Sequence, residues 1–365
     1  MIYFIAHSDW ILYNSRKEIS SGLMKLNYKV VSITTKEDYS DKLKNFFDSF
    51  FEWDVDKNKL IDLKGVVNLR SIIKNFSKED TVHIFSLKSG LYYLFASHFL
   101  RKKYKIVLSV TGLGYLFSKS IKSKILRNIL RPYMKFYFNK KIDVIIFQNK
   151  VDEKILTNYI SYKRKKILIK GSGVNTSNFL IKQGIGTKSN VLKIIMCCRL
   201  LKDKGIEEYL RLSSLVEDKN FEFYLAGTVD QGNPASYSES EINQLVEKHN
   251  IKYLGWLDTA NSLKNFDISI CMSYHEGLPR IVLESLYVGL YTLSNKLPGL
   301  MTIFEENDNG KLITNNSLDE FKEYIFQFRD IEQNEEKVVF SRTKIESNFS
   351  TNKILKEFVK VYEQL

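Results

Sequence analysis

The 365-residue chain reads as an α/β protein made of two doubly wound domains facing a central cleft. Three observations predict this. The length exceeds what one compact core holds, since domains usually run ~100–200 residues. Short β-rich runs alternate with segments long enough for a helix, the pattern of parallel sheets with right-handed crossovers. The alternation pauses once, at residues 171–175 and along a polar stretch to Asn190, and restarts at Val191.

Taken in order, the runs at 2–6, 29–34, 81–85, 105–109, 143–147 and 166–169 are the predicted strands of an N-terminal domain over residues 1–175. The first run lacks the basic stretch of a signal peptide and meets Asp9 early, so it reads as a buried strand. Runs at 192–197, 221–225, 268–271 and 291–294 supply a second sheet, in a domain over residues 176–348. Residues 349–365 repeat apolar side chains at helical spacing and are expected to pack back toward the N-terminal domain. Doubly wound sheets bind ligands outside the carboxyl ends of their strands, so the loops after these runs are where function is sought.

Composition removes whole classes. Hydrophobic content of 44% and aromatic content of 13% exclude wholesale disorder, and 4 Pro with 17 Gly exclude a collagenous or linker-dominated chain. Cys197 and Cys198 are adjacent and Cys271 stands alone, which suits a reducing compartment and no zinc knuckle. The five His have no metal-ligand spacing. No window approaches ~18 uninterrupted apolar residues, so no membrane-spanning helix is expected.

Charge is segregated. Residues 1–170 hold 33 Lys+Arg against 15 Asp+Glu, and residues 101–170 alone hold 19 against 3; the remainder of the chain is net acidic. Such asymmetry points to a polyanionic partner for the N-terminal half. Phe117, Ile121, Ile125, Ile129, Tyr133 and Tyr137 recur every four residues, a helical stripe among Lys119, Lys122, Lys124, Arg127, Arg131 and Lys135. A helix of that kind can lie on an anionic membrane. The plainer reading is a core-facing helix with a basic outer face. Pro132 is expected to bend or divide it. An anionic membrane surface is the favoured partner, and a nucleic acid is not expected.

The richest motif runs from Ser273 to Glu284, S-Y-H-E-G-L-P-R-I-V-L-E. A strand enters a turn that opens a helix near Pro279, a residue suited to a helix start. Backbone amides there favour a phosphate, and Glu276 and Glu284 flank them as acceptors for hydroxyl groups. The bland alternative is a helix with a solvated acidic turn.

Glu276 and Glu284 reproduce the E-x7-E signature of retaining GT-B glycosyltransferases, and the string resembles the donor segment of family GT4. Arg199 to Gly205 resembles that family's paired Arg and Lys, Tyr224 to Gly227 its nucleotide-side glycine turn, and Tyr253 to Trp256 the segment lining the base. Asn309-Gly310 resembles a late turn and residues 171–175 the hinge. The resemblance spans essentially the whole chain. It implies the GT-B fold of two Rossmann-like domains. It also implies that Arg199 and Lys204 hold a donor diphosphate, that Glu276 faces the sugar, and that Glu284 accepts from ribose hydroxyls. Gly227, Trp256, Gly277, Leu278 and Pro279 complete the implied donor site. Electrostatic stabilisation of a departing nucleoside diphosphate would be the main catalytic effect.

Val110 to Phe117 contains T-G-L-G, which is not a dinucleotide fingerprint because a third Gly is missing. It resembles GT4 enzymes that build bacterial surface polysaccharides on undecaprenyl diphosphate. This makes Thr111 and Gly112 acceptor-side candidates, although the His many members carry there is absent. Asp9 to Arg16, after the first strand, resembles the acceptor-side loop of the same subgroup, which makes Arg16 a candidate phosphate contact, with a plain surface Arg as the alternative, and Lys88 is a weaker acceptor-groove candidate. The expectation is a metal-independent, retaining transfer from a UDP-sugar to an undecaprenyl-diphosphate-linked glycan, with no cofactor. It would take place at the cytoplasmic face of the bacterial plasma membrane. Two alternatives stand beside it: a GT-B nucleotide-sugar epimerase, and a non-enzymatic membrane or nucleic-acid binder using residues 101–170.

Overall fold

A computed structural model describes the chain except residues 60, 102–103, 119, 183–190, 231–232, 234, 275, 307, 315 and 331–334, and the side chains of Thr302, Arg329 and Asp330. Lys119, His275 and the polar stretch at 183–190 therefore lie outside the described residues. The chain forms two units: Met1–Gly173 with Thr351–Leu365, and Val174–Ser350. These boundaries lie two residues from those read in the sequence.

The first unit is built on a seven-stranded sheet. Its strands are β1 (Ile2–Ile5), β2 (Val30–Thr34), β3 (Ser49–Glu52), β4 (Thr81–Phe85), β5 (Lys105–Val110), β6 (Val144–Phe147) and β7 (Lys165–Leu168). Their order is β3-β2-β1-β4-β5-β6-β7 and every pairing is parallel. Ile2 is in register with both Val30 and Thr81, so the winding reverses at β1. Side chains alternate across the strands. Ile5, Ile84, Leu108 and Ile145 enter one buried cluster, while Phe4, Phe85, Val107 and Ile146 enter another. Both faces of the sheet are thus covered, which explains its continuous apolar runs.

Thr351–Glu363 is a helix of this first unit. Ile354, Phe358 and Val361 join the cluster of Phe4 and Phe85. Gly22 lies so near Leu355 that a Cβ there would stand 2.4 Å from Leu355 Cδ2. His83, fully buried in β4, ties the terminal helix to the sheet: its Nδ1 is 2.6 Å from the Tyr362 hydroxyl and its Nε2 2.7 Å from Ser109 Oγ.

Three expectations need correction here. The edge strand β3 was not anticipated. Residues 9–16 are no loop: Asp9–Ser15 is helical and is followed at once by the helix Lys17–Lys25. The basic segment forms one helix, Ile121–Lys141, and Pro132 does not divide it. Pro132 and Asn128, whose carbonyl loses its donor, are both exposed, so water can satisfy the missing bond.

The second unit carries β8 (Leu192–Cys197), β9 (Phe221–Ala226), β10 (Lys252–Tyr253), β11 (Ile268–Cys271), β12 (Tyr291–Asn295) and β13 (Gly310–Ile313). They form one parallel sheet in the order β10-β9-β8-β11-β12-β13. Asn309, in the late turn read from the sequence, lies at a bend that leads into β13, and a Cβ on Gly310 would stand 2.1 Å from the Thr292 carbonyl. Only glycine lets β13 lie so near β12. Between β11 and β12 runs the helix Arg280–Val288, which buries Val282, Leu283 and Leu286 and ends at the left-handed Gly289.

Candidate active site

In the second unit, chemistry-bearing side chains gather at the carboxyl ends of β8 and β11. These two strands are neighbours at the point where the winding reverses, the usual ligand position in an open α/β sheet. After β8 the chain passes Arg199 and makes a tight turn at Lys202–Lys204. Gly205 follows with φ +77°, and a Cβ there would stand 2.4 Å from the Met272 carbonyl. The two strand ends are therefore pressed together through a glycine, which draws Lys204 toward the turn after β11.

There Lys204 meets Glu276. The Lys204 ammonium, 5% exposed, lies 2.6 Å from Glu276 Oε1 and 3.8 Å from Asp203 Oδ2. Burial works against the ammonium, but the two carboxylates outweigh it and the Lys204 pKa is raised, so the lysine stays a cation. The Glu276 turn is held from behind. Asn295 Nδ2 donates to the Met272 and Ser273 carbonyls at 2.7 and 3.3 Å. A Cβ on Gly299 would stand 1.6 Å from the Gly277 carbonyl oxygen. Gly277, Leu278 and Pro279 are all buried, and Pro279 immediately precedes the helix start.

Glu284 lies on the fifth residue of that helix, 5% exposed, and accepts from Arg280 Nη2 at 2.8 Å. Arg199 donates to Asp230 Oδ2 at 3.2 Å, and Asn233 Nδ2 reaches the same carboxylate oxygen at 3.0 Å. Each of the four expected charged residues thus stands in a cation–carboxylate pair, and Lys204 and Glu276 share one. A phosphorylated ligand entering here meets cations already held in place, with carboxylates that can turn to its hydroxyls.

Gly227 and the Tyr253–Trp256 segment also converge. The Gly227 amide donates to the Gly255 carbonyl at 2.7 Å, and the Tyr253 hydroxyl to the Gly227 carbonyl at 2.9 Å. Gly227 has φ +153°, and a Cβ there would stand 1.8 Å from the Cys198 carbonyl. Trp256, 69% exposed, lines a hollow of about 330 Å³ with Thr228, Val229, Glu239, Asn243, Tyr253 and Gly255. That volume is at the lower end of ordinary ligand sites.

Residues 178–343 match the family described as glycosyl transferases group 1, and residues 1–149 match the glycosyl transferase 4-like family. The chain belongs to the GT4-like glycosyltransferases. Among relatives of this transferase is the N,N'-diacetylbacillosaminyl-diphospho-undecaprenol alpha-1,3-N-acetylgalactosaminyltransferase of Campylobacter jejuni. It is 23% identical over 379 residues, covering 100% of this chain and 98% of its own. The UDP-Gal:alpha-D-GlcNAc-diphosphoundecaprenol alpha-1,3-galactosyltransferase of Escherichia coli is 25% identical over 276 residues, covering 71% and 68%. Among solved structures, Anabaena HepE in complex with UDP and glucose superposes with a TM-score of 0.77 at 14% identity, covering 100% and 99% of the two chains. A Rickettsia africae glycosyltransferase superposes at 0.78 and 17%, covering 100% and 97%. The fold is GT-B.

In the transferase's first unit, Thr111 and Gly112 follow β5 at the carboxyl edge of the sheet, both half-buried. Gly112 has φ +149° and a Cβ there would meet nothing within 4 Å, so backbone conformation alone requires the glycine. Arg16 is a correction. Expected as a phosphate contact, it is 1% exposed, its guanidinium 4.7 Å from the centre of the Phe85 ring and 5.9 Å from that of Phe358. It joins the terminal helix to the sheet through cation–π contact. Lys88 donates to the Lys57 carbonyl at 2.5 Å.

The sequence reading missed Arg280, Asp230 and Gly299. Arg280 was legible, since a cation four residues before Glu284 on a helix is placed to pair with it. Asp230 and Gly299 acquire their partners only through the fold. Cys271 is 5% exposed and burial raises its pKa, as suits a core thiol. Among the described residues no group of three His, Cys, Asp or Glu side chains is arranged for a metal ion.

Proposed function

We propose that this transferase moves a hexosyl or N-acetylhexosaminyl group from a UDP-sugar to a hydroxyl of an undecaprenyl-diphosphate-linked glycan, with retention at the anomeric carbon. The observation that carries the reading is the Lys204–Glu276 pair at 2.6 Å in the turn after β11, followed by Glu284 one turn into the helix that this turn opens. Arg199 and Lys204 would bind the diphosphate and stabilise the charge that develops on it as the bond from the anomeric carbon to the phosphate oxygen breaks. The acceptor oxygen forms its bond on the same face and gives its proton to the departing phosphate oxygen. Glu276 would turn from Lys204 to the sugar hydroxyls, and Glu284 would accept from the ribose. The hollow beside Trp256 would hold the base. The names of the Campylobacter and Escherichia relatives support the acceptor class, and the UDP complex of HepE supports the nucleotide.

Among the described residues no helix is long and apolar enough to cross a membrane. Peripheral attachment at the inner face of the plasma membrane is part of the reading. Calorimetry with UDP, GDP and ADP, on the wild type and on Glu284→Gln, tests it. Selective UDP binding that weakens at least tenfold in the variant is expected, the loss of about one charge-assisted hydrogen bond. Failure of all three nucleotides to bind the folded wild type would refute the donor assignment.

A further inference from the structure

The helix Ile121–Lys141 presents two apolar faces, and the core uses one. Met134 and Phe138 are fully buried, and Leu126, Leu130, Tyr133 and Tyr137 pack against the same cluster. Lys141 anchors the last turn, donating to the Ser97 and Leu100 carbonyls at 3.0 and 2.6 Å. On the opposite side Ile121 is 77%, Ile125 56%, Ile129 69% and Phe136 57% exposed, with Pro132 exposed between them. At 3.6 residues per turn these five positions fall within about 80° of arc. Exposed Lys122 and Lys140 border one side of that arc, and exposed Lys124 and Lys135 the other. Single exposed apolar residues are ordinary, but a ridge of them along one helix marks a contact surface.

We infer that this ridge is a membrane-docking surface that inserts Ile121, Ile125, Ile129 and Phe136 among the acyl chains of an anionic bilayer. The flanking lysines would contact the headgroups. The stripe read from the sequence already held Ile121, Ile125 and Ile129, but joined them to Phe117, Tyr133 and Tyr137, which face the core. The occupant follows from charge and chemistry. No Asp or Glu occurs between Asp80 and Asp143, so nothing acidic on these elements opposes an anionic surface. The inserted residues are mainly aliphatic, which suits acyl chains and offers little for base stacking. A ridge bordered by lysines on both sides would place like charges together in a second copy of the chain. The inference does not rest on the donor-site reading.

The test is co-sedimentation of the full chain with vesicles of phosphatidylcholine, with and without phosphatidylglycerol, at about 0.1 and about 0.5 M salt. Binding to the anionic vesicles is expected, with a residue of binding kept at high salt. The double variant Ile125→Asn with Ile129→Asn should lose about tenfold in partition and all of that residue. Lys122→Gln with Lys135→Gln should lose about twenty-five-fold, from roughly fivefold per basic residue. Circular dichroism and thermal unfolding of the same variants report whether each still folds. Binding unchanged by the isoleucine substitutions would overturn the inference. So would retention of single-stranded RNA in place of vesicles, or a lipid-free dimer that Ile129→Asn dissolves.

Discussion

Replacing Gly299 by Ala alters no charge, no polar group and no permitted backbone conformation. Its φ of −66° suits any residue. What it lacks is room. The added carbon would stand 1.6 Å from the Gly277 carbonyl oxygen, 2.8 Å from its carbon and 3.5 Å from Leu278 Cα. Real contacts of this kind do not fall below 3.0 Å, so the Gly277 peptide must retreat by about 1.4 Å or the Gly299 backbone must move as far. Gly277 follows Glu276 directly, and the displacement passes to the carboxylate that holds Lys204 at 2.6 Å. A misplacement of about 1 Å costs on the order of 10²-fold in rate when the moved group positions substrate, and overpacking of this kind costs about 1–3 kcal/mol of stability. Transfer kinetics and thermal unfolding on Gly299→Ala give both quantities. The expected result is a fall of about 10² in kcat/KM with a folded protein of lowered Tm. Wild-type kinetics with a lowered Tm would show that the Glu276 turn is not part of the reacting geometry.

Three further outcomes follow from the same structure. Lys204→Met, which keeps the volume but not the charge, should lower transfer by about 10²–10³ with native circular dichroism; a matching loss of fold would make the lysine structural. Arg280→Ala should weaken UDP binding less than Glu284→Gln, because it leaves the carboxylate in place; calorimetry on the pair would reject the assignment if the order were reversed. His83 is held neutral by burial and by the nearby Arg16, its pKa well below 6.5. The unfolded chain takes up a proton there as pH falls below about 6.5 and the folded chain does not, so stability is lost on acidification by up to about 1.4 kcal/mol per pH unit. His83→Gln should remove that slope from urea midpoints measured between pH 7 and 5.

The sequence displayed whatever the backbone writes as a pattern. Ten strands were legible because both sheet faces are covered and the runs are continuously apolar. The three missed strands lack that mark. β3 is an edge strand whose Ser49, Phe51 and Glu52 are exposed, β10 has two residues, and β13 begins on a glycine chosen for closeness to Thr292. Glu276, Glu284, Arg199 and Lys204 were legible as spacing. Their pairing was not, since the Lys204–Glu276 contact spans 72 residues and depends on Gly205 fitting against Met272. Arg16 shows the opposite limit. A basic residue after the first strand looks like a ligand contact until Phe358, near the far end of the chain, is found close to it.

The return of Thr351–Leu365 to the first unit also orders events during synthesis. A ribosome releases Met1–Gly173 first, yet the sheet face bearing Phe4 and Phe85, packed in part by Leu12, Ile19 and Leu23, is completed only when Ile354, Phe358 and Val361 follow. Val174–Ser350 is complete in sequence before that and can fold on its own schedule, as contiguous domains do. The half of the transferase that begins first closes last, and in the interval the part of its apolar face reserved for the terminal helix stays open to water.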